Sequence, residues 1–544
     1  MPGLVQQKPW VVQKYGGTSL GKLLATITGS IIPLYLEKQR VAVVCSAISG
    51  TSKSFGTTSL LLQAIGYTTG SGASQELLNE TIDTIRDEHL KVSERLFVGT
   101  EEMNHLSLRK ELDDGIKDDC ESVRSFLAAA QTIGEISAKS RDRIIATGEK
   151  LACRIVVASL KNEGVEAELV SLHDIVAEAY GKDPYNQTRA YDDLGSQFFH
   201  ALASIIGLRM KACGNAVPVI TGFFGSMPYS LLQSVGRGYS DLCAAMCAAG
   251  VSAIELQIWK EVDGIFTADP RRVPSARLLA TVTLEEASEL TYYGSEVIHP
   301  LTMEQIRNAN IPLRLKNVKN PAGCGTIIYP SLAYGKAPPT PPSSGMITPD
   351  PNVNMDAALL PNVSSFMNAN GYYGESNHRR APTALTTKDS IVLLNIQSNR
   401  QTKSHGFLAQ VFHCLDQRNI IVDLITSSEQ NVSLALSVLE HPEELQRLVV
   451  ELEKYGRVSV LRDLSIISVI GHKMRNMVGI NGQIFSNLAK GGVNIYFVGQ
   501  GASEINVSIF KTALLIIFQV RGPEGRCSTR NRHFACRRPR HTKD

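Results

Sequence analysis

The chain has 544 residues, 43% of them hydrophobic and 20% charged, with a formal net charge of +3. That make-up belongs to a soluble globular protein of about three domains. Residues 521–544 hold eight Lys/Arg and two Asp/Glu, a net +6, so the remainder sums to −3 and bulk charge gives no reason to expect nucleic acid. No apolar run approaches the ~20 residues of a membrane span, and the start lacks a basic-then-apolar signal. Ten cysteines without a C-x-x-C pair read as buried thiols of a reducing, cytoplasmic compartment.

The first β-rich run ends at Lys14 and is followed by Gly16-Gly17-Thr18-Ser19. Paired glycines let the backbone approach a ligand, and successive free N–H groups form a concavity that attracts anions. Two readings stand side by side. Gly16 to Lys22 nearly satisfies the P-loop pattern, but Leu23 occupies the place of its Ser/Thr. Alternatively, Lys14 is the working lysine. Apolar β-rich runs at 41–45, 216–220 and 255–259 alternate with helical stretches such as 241–249 and 284–292. This alternation predicts an α/β fold with a parallel sheet covered by helices and ligands at the strands' carboxyl ends. Thr147-Gly148-Glu149 places a carboxylate after a turn residue and ahead of a helical 150–159. Alone it reads as a first-turn glutamate on a helix dipole. Gly236-Arg237-Gly238-Tyr239-Ser240-Asp241 precedes a helix. Arg237 between glycines suits a forked grip on a carboxylate, and Ser240 or Asp241 suits a helix cap. After the 255–259 run, residues 259–271 mix acid, aromatic and arginine, as an adenine and ribose pocket or a plain surface turn would. His299-Pro300 reads as a turn without chemistry.

From 331 to 388 the chain is rich in Pro, Ser, Asn and Gly and reads as a flexible linker. Two βαββ openings follow, at 389–462 and 463–512, as a tandem repeat. The first takes strand 391–397, helix 406–417, strands 420–426 and 432–438, helix 442–454 and strand 458–461. The second takes strand 464–471, helix 480–490 and strands 493–498 and 504–509. Gly406 and Gly479 stand at strand-to-helix passages that suit a small carboxylate. Residues 513–544 form an atypical basic tail.

Four ordered motifs now carry a resemblance. They are Lys14-x-Gly16-Gly17-Thr18-Ser19, Gly236-Arg237-Gly238-x-Ser240-Asp241, the segment Val262-Asp263-Gly264-Ile265-x-Thr267-x-Asp269-Pro270-Arg271, and the Tyr-Gly-Ser-Glu-Val-Ile-His-Pro run ending at Pro300. Over about residues 10–510 the chain resembles aspartate kinase in its fungal form. The resemblance implies an amino acid kinase α/β/α sandwich over 1–330, with a mostly parallel sheet, then tandem ACT domains, the second incomplete. That is not a P-loop fold. It implies ATP and Mg²⁺ acting on L-aspartate, no dedicated protein metal site, and homo-oligomers formed through the ACT domains. Lys14 would stabilise charge on the transferring phosphoryl group and Asp241 would orient it. Gly16, Gly17, Thr18 and Ser19 would cradle phosphate. Arg237 would bind the substrate's α-carboxylate and Glu149 its α-ammonium. Ser46, Thr58 and Ser240 would complete the pocket, with Phe223 as a wall. Lys260, Glu261, Phe266 and Arg271 would lie near the nucleotide, Lys260 at a place where bacterial members differ. Ser404, Gly406, Asp423, Ser428 and Glu429, with Asn494 and Gln500 from the second repeat, would receive threonine as inhibitor. The substrate carboxylate is ionised at neutral pH, so phosphoryl transfer needs positioning and charge neutralisation rather than a base. After about residue 510 the pattern departs from the family, as a shifted frame or retained intron would make it, and weakened feedback is expected.

Overall fold

Short runs of β-branched residues form the strands of the first unit: β1 (Trp10–Tyr15), β2 (Arg40–Cys45), β3 (Ala167–Val170), β4 (Val217–Thr221), β5 (Glu255–Lys260), β6 (Thr281–Thr283), β7 (Leu313–Asn317) and β8 (Thr326–Tyr329). This is a computed structural model, and it describes residues 8–49, 56–68, 72–98, 103–227, 229–236, 238–292, 298–330, 382–399, 406–428, 430–437, 442–471, 474, 477–501 and 504–510. Arg237, Ser404 and Glu429, the linker over 331–381 and the tail after 510 lie outside the described residues.

The strands make one sheet in the order β3-β4-β2-β1-β5-β7-β8-β6. Its pairings are parallel except β7 against β8. β1 lies centrally, with Lys14 opposite Val44 on β2 and Ile258 on β5. Strands buried on both faces need near-continuous apolar runs, and Val11, Val12, Val41, Ala42, Val43 and Val44 are all buried.

One face of the central strands departs from that rule. Side chains two apart share a face, and there Tyr15, Gln13, Gln257, Glu255 and Arg314 form a buried polar ladder across β1, β5 and β7. The Tyr15 hydroxyl donates to Gln13 (3.0 Å), Gln13 to Gln257 (3.0 Å), and Gln257 to Glu255 (2.8 Å). Arg314 closes the ladder with a two-pronged grip on Glu255 at 2.9 and 3.0 Å. Tyr15 also stacks on Trp259, ring centroids 5.9 Å apart.

The helix Ala138–Asn162 corrects one expectation. Gly148 is not a turn residue and Glu149 is not in a first turn, since both lie inside this 25-residue helix. The glycine is there for close approach: a Cβ would stand 2.9 Å from the Ala47 side chain and 3.3 Å from that of Thr57. The dipole reading of Glu149 therefore falls away. The helix expected at 241–249 runs from Tyr239 to Gly250.

The remaining strands are β9 (Ala384–Ser398), β10 (Val422–Ser427), β11 (Asn431–Ser437), β12 (Gly456–Ile470), β13 (Phe497–Gln500) and β14 (Glu504–Phe510). Helices Phe407–Asp416, Pro442–Leu452 and Ile480–Lys490 intervene. The strand order is β10-β11-β9-β12-β14-β13. β9 starts at Ala384, inside the stretch read as linker. β12 is one strand where two were expected, because Asp463 turns it at φ +58 without ending it, as Ser390 does in β9 at φ +61. β13 begins at Phe497 rather than 493. Among the described residues, those of 388–467, 478–499 and 506–510 form one compact unit, and those of 468–477 and 500–505 cluster with the described residues before 388. A core of Val392, Leu394, Phe407, Val411, Leu434 and Leu448 fills the second unit.

Candidate active site

β1 delivers Lys14 at its carboxyl end, and the helix from Tyr239 delivers Asp241 to it. The ammonium and the Asp241 Oδ1 are 2.6 Å apart and both side chains are about nine-tenths buried. Lys22, the lysine of the P-loop near-match, is exposed, so the buried lysine is the one before the glycines. Gly17 packs against the chain leaving β2: a Cβ there would sit 1.9 Å from the Ala47 carbonyl oxygen. Only glycine allows that approach. Ser49 N donates to Gly17 O at 3.1 Å and fastens the two loops together. Thr18 is half-buried and Ser19 buried in the short helix Gly17–Lys22.

Beside this pair lie the groups read as substrate-binding. The Ser46 and Ser240 hydroxyls are 2.8 Å apart. Gly222 brings β4 against them: its N–H donates to Cys45 O at 2.9 Å, and a Cβ there would meet Ser240 at 2.7 Å. The next residue, Phe223, is buried with its ring edge-on to Tyr239, centroids 6.4 Å apart. Thr58 is half-buried in the first turn of Thr57–Gly66, which Thr57 anchors by donating to Ile48 O at 2.8 Å.

Glu149 is fully buried and accepts a hydrogen bond from the Tyr239 hydroxyl. Its second oxygen, Oε2, is buried with no hydrogen-bond partner. Burial pushes its carboxyl up to about 7, although the Tyr239 hydroxyl, nearby backbone and the Lys14 charge all favour the ionised form. A desolvated carboxylate with one idle oxygen is suited to a cation brought by a ligand. Tyr239 went unassigned in the motif, and no sequence pattern marked it; its buried neighbour across the fold gives it a role.

Beyond β5, the segment read as nucleotide-lining holds Glu261, whose Oε2 meets Lys319 at 3.2 Å and whose Oε1 is buried without a partner. Lys260 ends β5 and Phe266 bridges to Leu278. Arg271 is largely exposed and paired with Asp269 at 3.0 Å. Asp263 was missed: it accepts from Asn317 (2.9 Å) and Asn320 (3.3 Å) and ties the turn after β5 to the end of β7. His299 caps the helix Pro300–Ala309 and its Nε2 meets Val235 O at 2.8 Å.

In the second unit, Gly406 enters the helix Phe407–Asp416 at φ +85. Asp423 is already engaged, paired with Lys388 and accepting from Ser437 at 2.9 Å. Ser428 closes a turn by accepting from Asn431 N at 3.1 Å. Asn494 and Gln500 are exposed. The structure thus brings Lys14, Asp241, Ser46, Ser240, Glu149, Phe223 and Tyr239 together, and the effector candidates are not gathered into one described site.

Residues 9–317 match the amino acid kinase family and residues 467–510 the ACT domain. The sheet, with a buried lysine–aspartate pair at its strand ends, is that of an amino acid kinase. Aspartokinases of Candida albicans and Saccharomyces cerevisiae are 45% and 43% identical to the chain, over 92% of its length and 86% and 89% of theirs. Structures of E. coli aspartokinase III, with lysine and aspartate or with aspartate and ADP, align at TM-scores of 0.67 and 0.64. Each is 24% identical and covers 94% of this chain and 98% of its own, a likeness of fold. The chain belongs to the aspartokinase family. Among the described residues no helix is long and apolar enough to cross a membrane.

Proposed function

We propose that the chain transfers the γ-phosphoryl group of ATP to the β-carboxylate of L-aspartate, forming 4-phospho-L-aspartate and ADP. This is the first step toward threonine, methionine and isoleucine. The observation that carries the reading is the buried Lys14–Asp241 pair, whose lysine charge reaches Glu149, a carboxylate with one buried oxygen lacking a hydrogen-bond partner. A substrate carboxylate oxygen bonds to phosphorus as the bond to the ADP oxygen breaks, and no proton need move. Lys14 opposes the charge that grows on the phosphoryl oxygens, and Asp241 holds the lysine in place. Glu149 takes the substrate ammonium and Arg237 its α-carboxylate, with Ser46, Ser240, Thr58 and Phe223 around the rest. Gly16 to Ser19, Lys260, Glu261, Phe266 and Arg271 receive the nucleotide. The Mg²⁺ would arrive on the nucleotide's phosphates. When bound, it would neutralise phosphate charge.

The similar aspartokinases of Candida albicans and Saccharomyces cerevisiae support the substrate assignment. The test is ADP release with aspartate or glutamate, with and without threonine. Release with aspartate alone is expected. Release with glutamate alone, or with neither, overturns the substrate assignment. Threonine would bind one packing of the repeats more tightly than another and shift the population, within homo-oligomers joined through them. With Asp423 engaged by Lys388 and Ser437, recognition in the second unit would fall to the Gly406 backbone and exposed groups such as Ser428 and Asn494. A threonine response of nil overturns the effector assignment alone.

Tyr239→Phe tests Glu149. The hydroxyl favours the ionised carboxylate, so its loss raises the pKa from about 7. A hydrogen bond to a charged group contributes about 1.5–3 kcal/mol, or roughly one to two pH units. Aspartate binding needs the carboxylate, so KM for aspartate rises as pH falls through that pKa, and the variant's rise begins at higher pH. KM for ATP is the control. A profile unchanged from the parent would remove Glu149 from ammonium binding.

A further inference from the structure

We propose that Asp142 is a positioning residue for the aspartate-binding side of this site, acting by pinning a strained turn in the segment between β4 and the helix Tyr239–Gly250. The inference rests on the reading of that site as an aspartate pocket.

Ser230 holds φ +81 and ψ +134, a conformation that side-chain-bearing residues rarely adopt. Such backbone persists only where its surroundings over-determine it. Here a single buried carboxylate does so. Asp142 Oδ1 accepts from the Ser230 hydroxyl at 2.7 Å, and its Oδ2 accepts from Leu231 N at 2.7 Å and Met227 N at 3.3 Å. Its hydrogen-bond partners are three donors: the Ser230 hydroxyl and the backbone N–H groups of Leu231 and Met227.

The placement is informative. Asp142 and Glu149 lie seven residues apart on the helix Ala138–Asn162 and so share one face. That face grips the same segment twice, Asp142 at Met227, Ser230 and Leu231, and Glu149 at Tyr239. His299 holds it a third time, at Val235. The two outer grips bracket Gly236 and Gly238, the glycines of the second motif. A slip at the Ser230 turn would travel to Tyr239, Ser240 and Glu149, which face aspartate, whereas the groups assigned to nucleotide follow β5.

The experiment compares the full chain with Asp142→Ala, Asp142→Asn and Asp142→Ala/Ser230→Gly, reading kcat and both KM values. Asp142→Ala is expected to raise KM for aspartate about tenfold and leave KM for ATP within about twofold. Asp142→Asn should stay near the parent, because its amide oxygen can take both backbone N–H groups while its NH₂ donates to the Ser230 hydroxyl. Adding Ser230→Gly to Asp142→Ala should recover much of the aspartate KM, since glycine needs no pin at φ +81. Equal damage to both KM values, or no recovery with glycine, overturns the proposal. If Asp142→Ala yields no folded protein, Ser230→Ala and Ser230→Gly decide. Both lose the hydroxyl but only alanine keeps the strain, so equal aspartate KM values overturn the proposal. A parent chain inactive with aspartate would instead refute the substrate reading, whatever the variants do.

Discussion

Lys14→Ala is expected to lower kcat by about three orders of magnitude while the chain stays folded. Removing one preorganised group aimed at developing charge typically costs 10²–10³ in rate, and a full cation facing a phosphoryl group stands at the upper end. The loss has a second component, because Asp241 would be left nine-tenths buried without its cation. Breaking a buried pair from one side costs about 3–5 kcal/mol. The two effects separate in Lys14→Ala/Asp241→Asn. Neutralising the aspartate should restore most of the thermal midpoint and none of the turnover. Recovery of turnover in the double variant would reduce Lys14 to a counter-ion.

Glu255→Ala should be the most destabilising single change in the first unit outside the site. Glu255 accepts from Gln257 and from both prongs of Arg314. Removal leaves a mostly buried guanidinium without its carboxylate and the Gln257 amide without its acceptor, a cost of about 3–5 kcal/mol. A midpoint lower by several degrees should follow, measured by calorimetry. The ladder ends on Tyr15, the residue between Lys14 and Gly16, so kcat should fall as well, though far less than in Lys14→Ala. A midpoint within about one degree of the parent would mean that the ladder is dispensable.

The strands and motifs were legible because their signals are local. A buried parallel strand needs an unbroken apolar run, and 41–45, 216–220 and 255–259 reappear as β2, β4 and β5 within a residue. Glu149 was legible only through the family resemblance. Its local context, a glycine followed by an acid, is the same in a helix start and a helix middle. What separates the two is the Ala47 side chain against Gly148, which comes from a residue about a hundred positions away. The division of β12 failed for a related reason: the strands expected at 458–461 and 464–471 are one, continuing through the positive φ of Asp463.

By itself the sequence determined that a parallel α/β unit precedes a repeated βαββ unit, that Lys14 stands at a strand end before two glycines, and that Asp241 stands near a helix start. These follow from periodicity, glycine's missing Cβ and the capping preferences of short polar residues, all effects of near neighbours. Only the tertiary structure decided that Asp241 reaches Lys14, that Tyr239 donates to Glu149, and that Asp142 holds the turn at Ser230. Those contacts join residues roughly 90 to 230 positions apart, where burial makes an unpaired charge or donor costly, and no local pattern records which distant partner meets that cost.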